Sequence, residues 1–316
     1  MNKKSTRLLL RCVMAAVIGC AVMAAGRDAV AEPFPIEDGD RIVLVGSTFI
    51  ERDVGYGCIE TLLTAQFREY ELTFRNLGWS GDNVFGIARA SFDSIPKGYE
   101  RLVNQIKDAA PTVLIMSYGQ NESFKGGGGL DEFLAGYVKL LDDVAELDAR
   151  IVLISPTLQE DMGGALPDPA NHNEDVRMYT KAIGTLAAER NHRFIDMTTS
   201  FSLPDERPIS HWTDNGLHYT EAGYWKVAST IVEALGYSLV QTDTAKLVRI
   251  QRAINDKNRL FFLKWRPQNA TYITGFRKHE QGQHVAEIPL FDPLVAEHEA
   301  KIAKLRITMS GQGSGE

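Results

Sequence analysis

The sequence predicts an α/β protein: a mostly parallel, five-stranded sheet covered by helices on both faces in an α/β/α sandwich, with a helical C-terminal extension. Two observations carry the prediction. Five apolar runs recur at wide intervals, Ile42 to Val45, Leu72 to Phe74, Val113 to Met116, Ile151 to Ile154 and Phe194 to Met197, each short enough for a buried strand. Between them, apolar residues return every three or four positions, as on one face of a helix. Strand alternating with amphipathic helix implies parallel strands joined by crossovers.

Taken in chain order, the first 31 residues stand apart. Lys3, Lys4, Arg7 and Arg11 precede an apolar stretch from Val13 to Ala25, which is followed by Ala29-Val30-Ala31. That is the pattern of a secretory leader cleaved after Ala31, which predicts an exported, periplasmic or extracellular protein. The stretch falls short of the ~20 apolar residues that span a bilayer, so no membrane span is expected. Val17-Ile18-Gly19-Cys20 resembles a lipoprotein-processing box, which leaves open a form lipidated at Cys20.

The α/β domain then runs over residues 32–240. Its clearest helical stripes are Leu130, Phe133, Leu134, Tyr137, Leu140 and Leu141, then Val176, Tyr179, Ile183 and Leu186. A last helix opens at Thr220 as N-cap, carries Tyr224, Val227, Ala228, Ile231 and Val232 on one face, and stops at Gly236. Beyond it, residues 241–316 show no strand-helix alternation. Nine basic and three acidic side chains fall between Gln241 and Glu280, so this extension should dock on the acidic main domain or on an anionic polymer. Docking should bury Leu260 to Leu263 and Trp265. Asp292-Pro293 opens a final helix, acidic early and basic late as its dipole favours, and the small polar tail after Ile307 is expected to be disordered.

Charge and cysteine content narrow the function classes. The formal charge is −7, and because residues 1–31 hold five basic and one acidic side chain, the remainder carries −11. Such a surface gives no reason to expect nucleic-acid binding. Past the leader only Cys58 remains, so no intrachain disulfide is expected. The histidines show no metal-ligand spacing, and neither a metal nor a cofactor is predicted.

In parallel sheets ligands bind at the carboxyl ends of the strands, which directs attention to four loops. They contain a hydroxyl pair at a helix start (Ser47, Thr48), potential oxyanion donors (Gly81, Asn121) and a histidine beside a carboxylate (His218, Asp214). These are the residue types that acyl transfer requires.

Here the chain resembles the SGNH (GDSL-like) hydrolases. Gly46-Ser47-Thr48-Phe49-Ile50-Glu51 is similar to that family's first block, Gly-Asp-Ser-Ile-Thr-Glu, with Thr48 at the serine position. Asn76-Leu77-Gly78-Trp79-Ser80-Gly81-Asp82 resembles the second block, Gly119-Gln120-Asn121-Glu122 the third, and Asp214-Asn215-Gly216-Leu217-His218 the last, Asp-x-x-His. The resemblance implies a flavodoxin-like fold and ester hydrolysis. Thr48, or Ser47 if the turn shifts by one residue, would be the nucleophile and His218 the base, with Asp214 orienting it. The backbone of Gly81 and the amide of Asn121 would hold the oxyanion.

Two departures stand out. Threonine replaces the serine, and Asn215 occupies the position of the aspartate three residues before the histidine. Trp79 and Trp212 adjoin the second and last blocks and could flank a sugar ring, so an acylated glycan joins small esters as the expected substrate. The departures keep open the alternative of a degenerate domain that binds a glycan or protein without turnover. The extension, with Trp265-Arg266-Pro267 and Arg277-Lys278-His279-Glu280, is similar to segments that follow such domains in secreted proteins of planctomycete-type bacteria, and it assigns no chemistry.

Overall fold

A computed structural model of the chain describes residues 32–199 and 211–310. The leader, the Cys20 alternative and the last six residues lie outside the described residues. The described residues from Phe34 onward form one compact unit.

Five strands, β1 (Arg41–Gly46), β2 (Thr73–Asn76), β3 (Val113–Ser117), β4 (Arg150–Ile154) and β5 (Arg193–Ile195), pair in parallel in the order β2-β1-β3-β4-β5. All five lie at the predicted runs, within one or two residues at each end. Because side chains alternate along a strand, β1 sends Ile42 and Leu44 to one face and Val43 and Val45 to the other. The first face is covered by α1 (Thr48–Tyr56), α2 (Cys58–Gln66) and α6 (Glu221–Ala234). The second is covered by α3 (Ile95–Ala109), α4 (Leu130–Asp143) and α5 (Ala170–Glu189). The chain leaves β1 toward one edge and returns to build β3 on the other side, so a topological switch point lies at the carboxyl end of β1. Thr220 caps α6 as predicted, its hydroxyl accepting the Gly223 N–H at 3.2 Å.

Gly57, in the left-handed conformation at φ +64°, breaks the segment after β1 into α1 and α2. The first-turn N–H groups of α2 are met from an unusual place: the Asp53 carboxylate accepts from Cys58 at 2.9 Å and from Ile59 at 3.3 Å. Burial pushes the Asp53 carboxyl up to about 8 despite these two donors. The native state therefore holds this proton to higher pH than the unfolded chain does. The stability linked to Asp53 is full below the unfolded pKa, near 4, and is lost as pH rises through about 8. Asp53→Asn should flatten the decline of the urea midpoint between pH 5 and pH 8. An unchanged decline would assign the proton elsewhere.

The extension opens with α7 (Thr244–Trp265), continues through two short helices, α8 (Ala270–Ile273) and α9 (Lys278–Gln281), and ends in α10 (Phe291–Ser310). Ile250, Ala253 and Ile254 of α7 pack with Ala65 of α2 and with Ile302 and Met309 of α10. Buried Lys257 reaches Glu60 at 2.5 Å and the Phe74 carbonyl, on edge strand β2, at 3.3 Å, while the Asn258 amide donates to the other Glu60 oxygen at 3.1 Å. Leu260 to Leu263 and Trp265 are only half-buried, contrary to expectation. Four consecutive residues point all round a helix, so one face cannot bury them together. The final helix also runs past Ile307, through Ser310, where a disordered tail was expected.

Candidate active site

The site begins at the turn from β1 into α1. A Cβ on Gly46 would lie 2.5 Å from the Ser117 carbonyl oxygen and 2.7 Å from Ile50 Cγ1, so only glycine permits this turn. Ser47 follows as N-cap and is buried, whereas Thr48 opens α1 half-exposed. Thr48 Oγ1 accepts the N–H of Gly81 at 3.3 Å, which brings the first and second blocks together. Gly81 sits at φ +76°, a conformation that disfavours other residues, with open space where a side chain would be.

The second and third blocks rest on buried charge that sequence reading missed. Asn121 donates one amide hydrogen to the Asp82 carbonyl at 2.6 Å, leaving the second for a ligand. The Asp82 carboxylate pairs with Arg89 at 2.6 Å, both side chains fully buried, and accepts the Ala88 N–H at 3.2 Å. Arg89 in turn donates to the Leu77 carbonyl at 2.9 Å, within the second block. Burial raises the Asp82 pKa against the downward pull of Arg89. Glu122 is likewise buried and accepts N–H groups from Val84 and Gly119, each at 3.0 Å. Its pKa is raised by that burial. These two acids tie the second block to the third.

His218 lies on a tight loop closed by the Thr213–Tyr219 bridge and by the Asp214 N–H on the His218 carbonyl at 2.9 Å. Glu160, from the segment after β4, anchors this loop. Its carboxylate accepts the Thr213 hydroxyl at 2.6 Å and the Thr213 N–H at 2.9 Å, and it meets His211 Nδ1 at 3.1 Å. Burial alone would raise the Glu160 pKa, but these donors outweigh it and the carboxyl lies below its ordinary value.

The partner of His218 Nδ1 is Asn215, at 3.1 Å, where Asp214 was expected. The reason is local. Asn215 Oδ1 accepts the N–H groups of Leu217 at 3.1 Å and His218 at 2.9 Å, which turns the amide NH2 toward the ring. Asp214 is drawn instead to Arg52, one helical turn beyond Thr48, at 2.8 Å. With an amide donor on Nδ1, that nitrogen is an acceptor and the neutral ring carries its proton on Nε2. Burial, then Arg52, lower the His218 pKa, with Asp214 pulling the other way. His218 is therefore neutral at neutral pH, in the tautomer less suited to accept a proton at Nε2.

Of the two tryptophans expected at a cleft, Trp79 lies against the extension. Arg266 stacks 3.9 Å from its ring centroid, and the Trp265 ring meets it edge-on at 5.7 Å. Trp212 packs half-buried against the core between the sheet and α6. Glu51 links the extension to the site, since its carboxylate accepts the Ser80 N–H and pairs with Arg266 at 2.6 Å. Among the described residues, no helix is long and apolar enough to cross a membrane.

The first three blocks thus bring a hydroxyl beside a backbone N–H and a braced amide, and the Arg52–Asp214 pair ties the histidine loop to α1. The profile of the GDSL-like Lipase/Acylhydrolase family matches residues 45–226. A GDSL esterase/lipase of Oryza sativa subsp. japonica, WDL1, is 25% identical over 192 residues, 52% of this chain and 73% of that protein. Two solved structures share the fold. A catalytic variant of Axe2, an acetylxylan esterase from Geobacillus stearothermophilus, is 19% identical with a TM-score of 0.50, over 66% of this chain and 99% of its own. A gut microbial diltiazem-metabolizing enzyme is 12% identical with a TM-score of 0.62, over 86% of this chain and 96% of its own.

Proposed function

Because the chain belongs to the GDSL-like lipase/acylhydrolase family, we propose that it is an exported esterase of low intrinsic rate, hydrolysing carboxylic esters, with acyl groups on carbohydrates as the preferred class. The observation that carries this reading is the Thr48 hydroxyl held at 3.3 Å from the Gly81 N–H. It supports the reading because acyl transfer needs a hydroxyl close to a donor available to the developing oxyanion. Thr48 attacks the ester carbonyl and His218 takes its proton. The alkoxide of the tetrahedral intermediate is held by the Gly81 N–H and the free hydrogen of the Asn121 amide. Asp214 acts on His218 through its charge, and Arg52 opposes it. The acetylxylan esterase among the structural relatives supports the carbohydrate preference.

The rate is low because base catalysis requires the Nδ1–H tautomer, and in that tautomer the ring would present a hydrogen to the Asn215 amide, donor against donor. The same contact favours a second reading, a domain that binds an acylated glycan without turnover.

Short-chain nitrophenyl esters and acetylated sugars separate the two readings. His218→Ala and Thr48→Ala should each lower kcat/KM by about 10²-fold or more, on the scale typical of a general base. Ser47→Ala, at a buried cap, should remove little. Equal turnover by wild type and Thr48→Ala would transfer the nucleophile elsewhere, and no turnover of either ester class would leave the binding reading.

A further inference from the structure

A cavity of about 930 Å3 lies where the extension meets the loop that carries the second block. Glu51 and Trp79 form its inner wall. Glu51 is three residues from Thr48 on α1 and therefore shares its helix face, and Trp79 is two residues from Gly81. The cavity thus adjoins the candidate nucleophile on the side that the extension covers. Its outer rim holds two unusually exposed aromatic rings, Phe92 (77% exposed) and Phe276 (69%), which meet edge to face at 5.5 Å.

The lining defines the ligand. Every charged side chain facing the cavity is already matched: Glu51 by Arg266, Arg89 by Asp82, Lys264 by Asp292, and Arg101 by Asp93. No net charge remains to select an ion, which points to a neutral ligand. Trp265 also lines the cavity, its ring edge-on to Trp79. Hydroxyl and amide groups from Thr271, Thr274 and Gln268 supply further polar contacts beside the aromatic rings. Aromatic faces combined with neutral hydrogen-bonding groups suit a pyranose ring, whose C–H face packs on an aromatic while its hydroxyls are satisfied at the edge.

From these features we propose that the C-terminal extension and the second-block loop together form a binding site for neutral oligosaccharide. The proposal rests on the esterase reading only for the statement that the bound saccharide is the alcohol portion of the ester. Binding itself is independent of turnover.

The test uses the full chain and unesterified xylotetraose, cellotetraose and chitotetraose, followed by calorimetry and by tryptophan emission. At least one of these should bind saturably. The double variant Phe92→Ala/Phe276→Ala alters only exposed rings and should fold, and it should bind that sugar at least tenfold more weakly. His218→Ala should retain the wild-type affinity. Three results would overturn the proposal: no saturable binding of any of the three sugars, equal affinity in the double variant, or loss of affinity in His218→Ala, which would put the sugar on the histidine loop. Saturable binding of decanoate with none of the sugars would reassign the cavity to an acyl chain. Sugar binding without hydrolysis of any ester would leave the cavity standing and remove the esterase reading. Hydrolysis of simple esters without sugar binding would do the reverse.

Discussion

Asn215→Asp should raise kcat/KM for simple esters by up to about 10⁴-fold, the size of the loss when the orienting acid of a serine protease is changed to an amide. The substitution changes one functional group. Oδ1 keeps its two backbone donors, Leu217 and His218, while the NH2 facing Nδ1 becomes an oxygen that accepts from it. The ring then carries its hydrogen on Nδ1 and frees Nε2 for the nucleophile's proton. The added carboxylate must also raise the His218 pKa, which burial and Arg52 hold low in the wild type. The acid limb of the rate profile should therefore shift to higher pH as the plateau rises. A gain in rate with no shift of that limb would mean that the carboxylate acts without touching His218. No gain at all would mean that the tautomer does not limit the reaction.

Arg89→Ala should destabilise the protein by about 3–5 kcal/mol, the usual consequence of leaving one member of a buried ion pair unmatched. Asp82 would keep its full burial and the Ala88 N–H but lose its cation. Arg89→Ala would also remove the donor to the Leu77 carbonyl and the guanidinium 5.3 Å from the Trp79 ring centroid, loosening the second block at both ends. The urea midpoint at pH 7 measures the first effect. Because the Asp82 carbonyl positions the Asn121 amide, kcat should fall in whatever fraction remains folded. Arg89→Ala/Asp82→Ala, which removes both charges, should recover part of the stability. If it recovered none, the loss would come from packing rather than from an unmatched charge.

The sheet was legible because a strand buried on both faces must be written as an uninterrupted apolar run, and Ile42 to Val45 and Val113 to Met116 leave little choice. The helices α4, α5 and α6 were legible from their stripes. α2 and α3 were not read, since Thr61 and Thr64 are buried among the apolar residues of the first and the second shows few apolar residues besides Leu102, Val103 and Ile106. At the site, the blocks containing Thr48, Gly81, Asn121 and His218 were visible as short-range patterns, and the amide at 215 was visible as a departure from one. What holds those blocks in place was not. Asp82 with Arg89, Glu160 with Thr213, and Glu51 with Arg266 are pairings at separations that no spacing rule specifies. Trp79 was identified as an aromatic at the second block, but nothing in its neighbourhood indicates that a guanidinium from 187 residues downstream covers its face.

The Glu51 carboxylate, shared between Ser80 and Arg266, also bears on how the chain can be divided. The family match ends at residue 226, and an expression boundary drawn there would look natural. Physically it would cut through a cooperative unit: Glu60 would lose Lys257, and the strand edge at Phe74 would lose its cover. Glu51, one helical turn beyond Thr48, would be left with a single donor. The part that the family profile matches and the part that must be inherited together are therefore different lengths of chain. Grafting either segment onto another member of the family would transplant half of a joint.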